Sequence, residues 1–285
     1  MSKSLPFVTA TLTAIPRVRR LVDHCDHLVT QNEQLLAAVE LLTDEREAAE
    51  ARAGQLASAL RRLPAMDAES ATDLDYLFIV TYGRSGSTLL MGLLDAIPGY
   101  CIRGENGGVL YKLFEYHSTA AKFCAKWTTD NPLPPQHPWY GIDDYPDDLA
   151  TLRMRQLVVD TLLRPEPGTR VTGFKEIRWW MQEPFEYIDF IESLFPKARF
   201  VLNTRNLDDV AKSSWWHKEP NARGDLAKIE DRLKAAVGLR GDRGYHVHYD
   251  DYIKDPAVLR ELFEWLDEKY DADRIASILA IRHST

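Results

Sequence analysis

The sequence predicts an α/β domain with a central parallel sheet between two layers of helices, preceded by a long N-terminal helix. From residue 74 onward, short apolar runs rich in β-branched and aromatic residues alternate with segments of helical period, which is typical of βαβ units. Before them, apolar residues recur in steps of three and four over residues 21–63, which is typical of a coiled coil.

The composition of the 285 residues excludes several classes of protein. Hydrophobic residues make up 45% of the chain and charged residues 27%, which excludes wholesale disorder. A net charge of −8 argues against nucleic acid as a partner. The three cysteines lack the spacing of a zinc site, and no apolar run is long enough to span a membrane or resembles a signal peptide. We therefore expect a cytoplasmic protein with no membrane span.

The N-terminal helix has a heptad register. Position a is occupied in turn by Cys25, Asn32, Val39, Arg46, Ala53 and Leu60. Most d positions are leucine, and a single asparagine at a with leucine at d favours a parallel two-stranded coiled coil. The pattern predicts a homodimer formed through residues 21–63. Because small residues weaken the middle of the seam, a helix folded back on the following domain, or a helical hairpin, is the alternative.

The remaining elements are predicted from the spacing of apolar residues, which changes between the period of a helix and that of a strand along the chain. We assign four parts to the chain: an N-terminal segment 1–20, the coiled-coil helix 21–63, a polar linker 64–73 and the α/β domain 74–285. The predicted strands are Tyr76–Thr81, Arg170–Phe174, Arg199–Asn203 and Tyr245–Tyr249. The predicted helices are Ser87–Ala96, Gly107–Tyr116, Asp148–Leu163, Pro184–Leu194, Leu207–His217, Asp225–Val237, Pro256–Lys269 and Ala272–Ile281. Residues 117–147, which include several prolines and tryptophans, fit neither period.

The loop after the first strand has the composition of an anion site. It consists of Gly83, Arg84, Ser85, Gly86, Ser87 and Thr88. Its glycines let the backbone approach a ligand, and its N–H groups and the start of the next helix favour a phosphate. The lysine of a Walker A motif is absent, which argues against a nucleoside triphosphatase. The alternative is an ordinary turn that caps the helix.

A second anion site is predicted after the strand that ends near residue 203. Arg205 follows that strand, Asn206 can cap the next helix, and Ser213 lies just over two helical turns beyond Arg205. An arginine fork and a hydroxyl donor at this spacing suit a second phosphate. The alternative is an ion pair of Arg205 with Asp208 or Asp209.

These segments resemble the sulfotransferases that use 3′-phosphoadenosine 5′-phosphosulfate (PAPS). The segment TYGRSGSTLL resembles the family's 5′-phosphosulfate loop, in the form with arginine found in tyrosylprotein, Golgi and bacterial carbohydrate members. The Arg205 and Ser213 spacing resembles the family's 3′-phosphate site. The segment YHVHYDDYIKDP resembles a late strand whose tyrosine, here Tyr249, lies in the nucleotide pocket; Asp250 replaces the family's glutamate. The cytosolic members' Arg-Lys-Gly loop is absent, so no residues are assigned to cover the adenosine.

The resemblance also implies the catalytic groups. Glu105 in CIRGENGG occupies the place of the tyrosylprotein members' catalytic glutamate, which implies a general base. Lys175 in TGFKEIRWW resembles the lysine that steadies the bridging oxygen, with Arg84 on the sulfate and 5′-phosphate. His217 is the rival base.

Each catalytic assignment has a structural alternative. Glu105 could pair with Arg103 or cap the helix that follows Asn106, and Lys175 could pair with Glu176. Because neighbouring residues of a strand point to opposite faces, the second pair is disfavoured.

The sequence therefore predicts a sulfotransferase with a P-loop-like fold. The reaction would move a sulfuryl group from PAPS, the co-substrate, to a hydroxyl of a glycan, lipid or natural-product acceptor by in-line displacement. No metal is expected. A kinase of the same fold and a non-catalytic nucleotide-binding scaffold organised by the coiled coil are the alternatives.

Overall fold

The computed structural model describes residues 16–62, 74–129, 132–179 and 183–280. The chain divides into two compact units, residues 1–68 and 69–285. The predicted linker 64–73 lies wholly outside the described residues, as does most of the segment 1–20. The four predicted parts of the chain stay predictions at their boundaries.

The first unit contains one helix, α1 (Pro16–Arg62), of 47 residues. It begins at a proline, which the first turn of a helix tolerates because its N–H needs no partner there. The helix is uninterrupted, so the alternative of a helical hairpin is wrong for residues 21–62. The side chains of the predicted seam that are described are exposed, with Leu28 at 49% and Leu35 at 65%. No described helix is long and apolar enough to cross a membrane.

The second unit is built on a five-stranded sheet. Its strands are β1 (Asp75–Val80), β2 (Tyr100–Arg103), β3 (Val171–Glu176), β4 (Arg199–Thr204) and β5 (Gly244–His248). They lie in the order β2-β3-β1-β4-β5, and every neighbouring pair is parallel. The predicted parallel sheet flanked by helices is confirmed, and all the strands present their carboxyl ends at one edge. Strand β2 was not predicted.

Helices cover both faces of this sheet. They are α2 (Ser87–Asp95), α3 (Val109–Trp127), α4 (Asp147–Val158), α5 (Pro184–Leu194), α6 (Leu207–Ala211), α7 (Ala222–Gly238), α8 (Tyr249–Lys254), α9 (Leu259–Trp265) and α10 (Ala272–Leu279). Helix α4 continues into one π-helical turn, Val159–Leu163. Short 3₁₀ turns occupy Ser214–Lys218, Gly241–Arg243 and Pro256–Val258.

Several predicted helices have different bounds in the structure. Helix α3 extends to Trp127 and so includes residues 117–127 of the segment that fitted neither period. The helix predicted to reach His217 ends at Ala211, because Ser214 has a φ of 48° and lies in the left-handed region. The helix predicted from Pro256 begins as a 3₁₀ turn and ends at Trp265, shortly before Asp267, which has a φ of 59°.

Strand β1 lies at the centre of the sheet and is buried on both faces. Tyr76, Phe78 and Val80 pack into one apolar layer, with α3 to α7, while Leu77 and Ile79 pack into the other, with α2 and α8 to α10. The helices that follow β1 and β4 therefore lie on opposite faces. Open parallel sheets bind ligands where the connections that follow two neighbouring strands run to opposite faces of the sheet. The fold therefore places a crevice between the ends of β1 and β4.

Candidate active site

The loop after β1 is held to the sheet by a buried hydroxyl pair. Thr81 Oγ1 donates to the carbonyl of Asn203 on β4 at 2.7 Å, so Ser85 Oγ, 2.6 Å away, donates to Thr81. Asn203 Nδ2 donates in return to the carbonyl of Ser85 at 2.8 Å. Ser85 is fully buried, and its hydroxyl therefore fixes the loop, while Ser87 and Thr88 line the cavity described below.

The backbone of this loop has the left-handed conformations that a tight anion-binding turn requires. Arg84 has a φ of 71° and Gly86 a φ of 82°. The ring of Tyr249 lies directly against the Cα of Gly86, where a side chain would collide with it. Trp215 closes on Gly83 in the same way. Both glycines are therefore needed for close packing of aromatic rings around the loop.

The two predicted anion sites meet at one place. Arg84 Nε donates to Ser213 Oγ at 3.0 Å, and Arg205 Nη1 donates to the carbonyl of Arg84 at 3.3 Å. The guanidinium of Arg205 lies over the ring of Tyr249, 4.7 Å from its centroid. Arg205 Nε is buried and has no hydrogen-bond partner among the described residues. A buried guanidinium donor that lacks a protein partner, on a residue that lines the cavity described below, is compatible with an anionic ligand.

The backbone of Arg205 is positioned by a buried tyrosine. Tyr82 OH donates to Glu230 Oε2 at 2.5 Å and accepts from the N–H of Arg205 at 3.1 Å. Lys234 Nζ donates to the other oxygen of Glu230 at 2.6 Å. Burial, followed by the hydrogen bond to Glu230, raises the pKa of Tyr82, so the phenol stays protonated and acts as a fixed link between α7 and the end of β4.

The alternative ion pair of Arg205 is not formed. Asp208 pairs with Arg223, whose Nε lies 2.7 Å from Oδ1. Asn206 caps α6 as predicted, since its side chain accepts from the N–H groups of Asp208 and Asp209. The N–H of Asn206 donates to Asp250 Oδ2 at 2.8 Å, which ties the residue after Arg205 to the start of α8.

Glu105 and Lys175 form an ion pair at the ends of β2 and β3. Lys175 Nζ lies 2.7 Å from Glu105 Oε1, and Arg178 Nη1 lies 3.5 Å from Oε2. The Lys175 side chain is 6% exposed and that of Glu105 is 35% exposed. Each oxygen of the Glu105 carboxylate therefore has its own cation, and the carboxylate remains open to a ligand.

Neither alternative ion pair of these two residues is found. Arg103 donates to the carbonyls of Leu163 and Arg164, at 2.8 and 2.6 Å, and not to Glu105. Lys175 and Glu176 point to opposite faces, as neighbouring strand residues do. Glu176 instead accepts hydrogen bonds from the loop before α3.

One cavity of about 1210 Å³ joins the loop after β1 to the Glu105–Lys175 pair. Arg205 and Tyr249 also line it, whereas Ser213 reaches it only through Arg84. His217 does not line it; its Nδ1 lies against the carbonyl of Ser214. In the described ranges, no group of histidine, cysteine, aspartate or glutamate side chains could hold a metal ion.

The sequence did not identify several residues that line this cavity. Among them are Ile177, Arg178, Trp215, Glu219, Ile253 and Leu279. Ile253 lies one helical turn after Tyr249, so its spacing was a usable signal. Leu279 carried no such signal, because its place in the cavity depends on the packing of α10 against α2.

The sequence over residues 76–272 matches the model of the sulfotransferase family. This chain belongs to the sulfotransferase family. The predicted family is confirmed, and sulfuryl transfer in general is the activity that this membership supports. No curated protein sequence matches this sulfotransferase.

Solved structures resemble the sulfotransferase at low sequence identity. The sulfotransferase domain of the olefin synthase from Synechococcus PCC 7002 is 19% identical, with a TM-score of 0.48, and the match covers 75% of this chain and 78% of that domain. A sulfotransferase from Mycobacterium avium is 16% identical, with a TM-score of 0.45 over 81% of this chain and 74% of its own. A thymidylate kinase from Candida albicans is 13% identical, with a TM-score of 0.37 over 68% and 93%.

Proposed function

We propose that this sulfotransferase moves a sulfuryl group from PAPS to a hydroxyl of a glycan, lipid or natural-product acceptor. One observation carries the proposal: residues of both predicted anion-binding segments and the carboxylate–lysine pair line the same cavity. PAPS has a phosphosulfate at one end of its ribose and a phosphate at the other, so it needs two such segments. Because the chain has an acidic net charge, binding of the anionic donor would depend on the few cationic side chains that line this cavity.

The donor would be held by groups at the ends of β1, β4 and β5. The N–H groups of the loop after β1, the start of α2 and the side chain of Arg84 would bind the 5′-phosphosulfate. Arg205 and Ser213 would bind the 3′-phosphate, since Arg205 Nε is buried without a partner among the residues described. Tyr249, with Ile253 one turn further along α8 and Leu279 on α10, would provide the apolar side for adenosine.

The chemical step is a displacement at sulfur. The acceptor oxygen forms a bond to sulfur as the bond from sulfur to the bridging oxygen breaks, and that oxygen leaves with the electron pair on adenosine 3′,5′-bisphosphate. Glu105 takes the acceptor proton. Lys175 uses one N–H for Glu105 and has others to donate to the bridging oxygen as its charge develops.

The test compares Glu105→Ala and Lys175→Ala with the wild-type protein. Each change should abolish most transfer from radiolabelled PAPS while leaving the affinity for adenosine 3′,5′-bisphosphate within about twofold, because the main donor contacts lie elsewhere. Arg223→Ala is the control, since it breaks the exposed pair with Asp208 at some distance from the catalytic pair. Wild-type transfer by Glu105→Ala would remove that residue from the role of base.

The same assay separates the two alternatives. Transfer from ATP and not from PAPS would identify a kinase, and tight bisphosphate binding with no turnover on a broad acceptor panel would identify a scaffold. The acceptor itself can be sought by incubating cell extract with enzyme and labelled PAPS and searching for products that gain one SO₃ group.

We propose the cytoplasm as the compartment, because the three cysteines are free in the described residues.

We also propose that α1 pairs with a second copy of itself as a parallel coiled coil. Val39 at a and Leu42 at d are 59% and 63% exposed. A single helix gains no stability from an exposed apolar seam, whereas pairing with a second helix would bury it. Cys25, also at a, is exposed. In a parallel, in-register pair its Cα would lie within disulfide distance of its copy.

Mild oxidation of the full chain tests this pairing. A disulfide-linked dimer should form with wild type and not with Cys25→Ser. The matched control is Cys25→Ser with Thr30→Cys, which moves the thiol to the outer face of the predicted seam. Equal cross-linking from both positions, or a monomer in sedimentation, would show that α1 does not pair in this register.

A further inference from the structure

We infer that Glu176 is a positioning residue that sets the place of Glu105. The inference rests on the proposed function, because it concerns the residue proposed there as the base. Glu176 ends β3, directly after Lys175, and its side chain is 2% exposed. A carboxylate so deeply buried needs several hydrogen bonds to offset the loss of water.

The backbone of the loop that carries Glu105 supplies part of these hydrogen bonds. The N–H groups of Asn106 and Gly108 both donate to Glu176 Oε2, at 3.2 and 3.1 Å. Gly108 is the N-cap of α3, a helix of 19 residues, and a negative charge at that end is favourable. The carboxylate thus fixes the loop at Asn106 and Gly108, one and three residues after Glu105.

The other oxygen of Glu176 holds the segment after β3. Oε1 accepts from the N–H groups of Ile177 and Arg178, at 2.7 and 3.2 Å, and from Arg178 Nη1 at 3.1 Å. The same Nη1 faces Glu105 Oε2 at 3.5 Å. Glu176 therefore reaches Glu105 by two routes, through the backbone of the loop and through the guanidinium of Arg178.

The structure explains why Lys175 alone would not position the carboxylate. Lys175 contacts only Oε1 of Glu105, and an ammonium on a flexible stem leaves the carboxylate free to rotate about that contact. Glu176 holds the backbone next to Glu105, and Arg178 holds the second oxygen of the Glu105 carboxylate. Together these contacts fix the direction in which the carboxylate faces an acceptor. A displacement of about 1 Å at such a group can lower a rate about 100-fold.

The experiment is a double-mutant cycle in the full chain. Glu176→Gln keeps the shape of the side chain but turns one acceptor oxygen into a donor that opposes the backbone N–H groups. We expect it to lower kcat about 10-fold to 100-fold in the wild-type background and less than about twofold in Glu105→Ala. The affinity for adenosine 3′,5′-bisphosphate should stay unchanged. Equal losses in both backgrounds, or no loss in the wild-type background, would overturn the inference.

Two further variants protect the test from an effect on folding. Glu192→Gln is the matched control: Glu192 is another mostly buried carboxylate, which pairs with Arg240 and Arg243 and does not line the cavity. It should change thermal stability without changing kcat. If Glu176→Gln does not fold, Glu176→Asp replaces it, since it keeps the negative charge but shortens the reach to the N–H groups of Asn106 and Gly108. A loss of kcat that disappears in Glu105→Ala supports the inference, and an equal loss in both backgrounds contradicts it.

Hydrogen exchange gives a readout that needs no turnover. The amides of Asn106 and Gly108 should exchange at least about 10-fold faster in Glu176→Gln than in wild type, and no faster in Glu192→Gln. Unchanged protection would overturn the inference. If wild type transfers no sulfuryl group on any acceptor, the proposed function fails, while the exchange data still decide whether Glu176 holds the loop.

Discussion

Arg84 and Ser213, which follow different strands of the sheet, are joined by a hydrogen bond of 3.0 Å between Nε and Oγ. This bond makes the loop after β1 and the turn after α6 one site. Arg205 Nη1 adds a second link by donating to the carbonyl of Arg84. A change at either segment is therefore expected to affect the binding of both ends of a ligand that spans them.

Arg205→Ala should weaken binding of adenosine 3′,5′-bisphosphate about 10-fold to 100-fold, because a charged hydrogen bond to the 3′-phosphate is lost. Calorimetry of both bisphosphate and adenosine 5′-phosphate measures this effect. The ligand without the 3′-phosphate is the control and should lose much less affinity. Equal losses for the two ligands would place the 3′-phosphate elsewhere.

Gly86→Ala should destabilise the protein and weaken donor binding, because its Cβ would collide with the ring of Tyr249. Gly168→Ala is the matched control, since Gly168 has a similar φ of 86° but open space where a Cβ would lie. The control should cost only about 1 kcal/mol of backbone strain and leave donor affinity intact. Urea unfolding and bisphosphate titration of the two variants test this, and equal behaviour would contradict it.

Tyr82→Phe should lower the free energy of unfolding by about 1–3 kcal/mol, because it leaves Glu230 and the N–H of Arg205 without their buried partner. Tyr76→Phe should be close to neutral. The hydroxyl of Tyr76 is also buried but has no partner among the described residues. The difference between the two variants in urea unfolding isolates the bridging bonds; similar costs would show that the bonds contribute little.

The protein should lose stability as the pH rises above about 10. Burial raises the pKa values of Tyr82, Tyr187 and Tyr252 above the ordinary value of 10.0. Above that pH the unfolded chain releases these protons while the folded chain keeps them. The free energy of unfolding then falls by about 1.4 kcal/mol per pH unit for each such tyrosine. Phenolate absorbance and circular dichroism, followed together, measure the transition.

In that titration part of the phenolate signal should appear only as the fold is lost. Ionisation of all 12 tyrosines with the fold intact would contradict the prediction.

The central strands and the positions of the two proposed anion-binding segments were predictable from the sequence. Buried parallel strands are continuous apolar runs, so YLFIVT and RFVLN identified β1 and β4 almost to the residue. The functional side chains lie directly after those strands, where a parallel sheet gathers its loops. The prediction that Arg84, Arg205 and Tyr249 serve one nucleotide came from the resemblance to the sulfotransferases, and the geometry of the parallel sheet explains why the three residues line one cavity.

Other features depended on contacts that spacing does not encode. Strand β2 has only four residues, and it takes shape by pairing with β3, from Tyr100 opposite Val171 to Arg103 opposite Phe174. Ser213 bonds to Arg84, and the role of Glu176 arises from N–H groups about 70 residues away. Such contacts arise from packing between distant segments, so periodicity cannot predict them.

The order of the strands separates the two halves of the proposed reaction. The residues proposed for the donor follow β1, β4 and β5, whereas Glu105 and Lys175 belong to β2 and β3, on the other side of β1. Loops on the β2 and β3 side can therefore vary without disturbing the nucleotide contacts. A scaffold divided in this way can acquire new acceptors in evolution, through residues other than Glu105 and Lys175 on that side of the sheet, while keeping one donor.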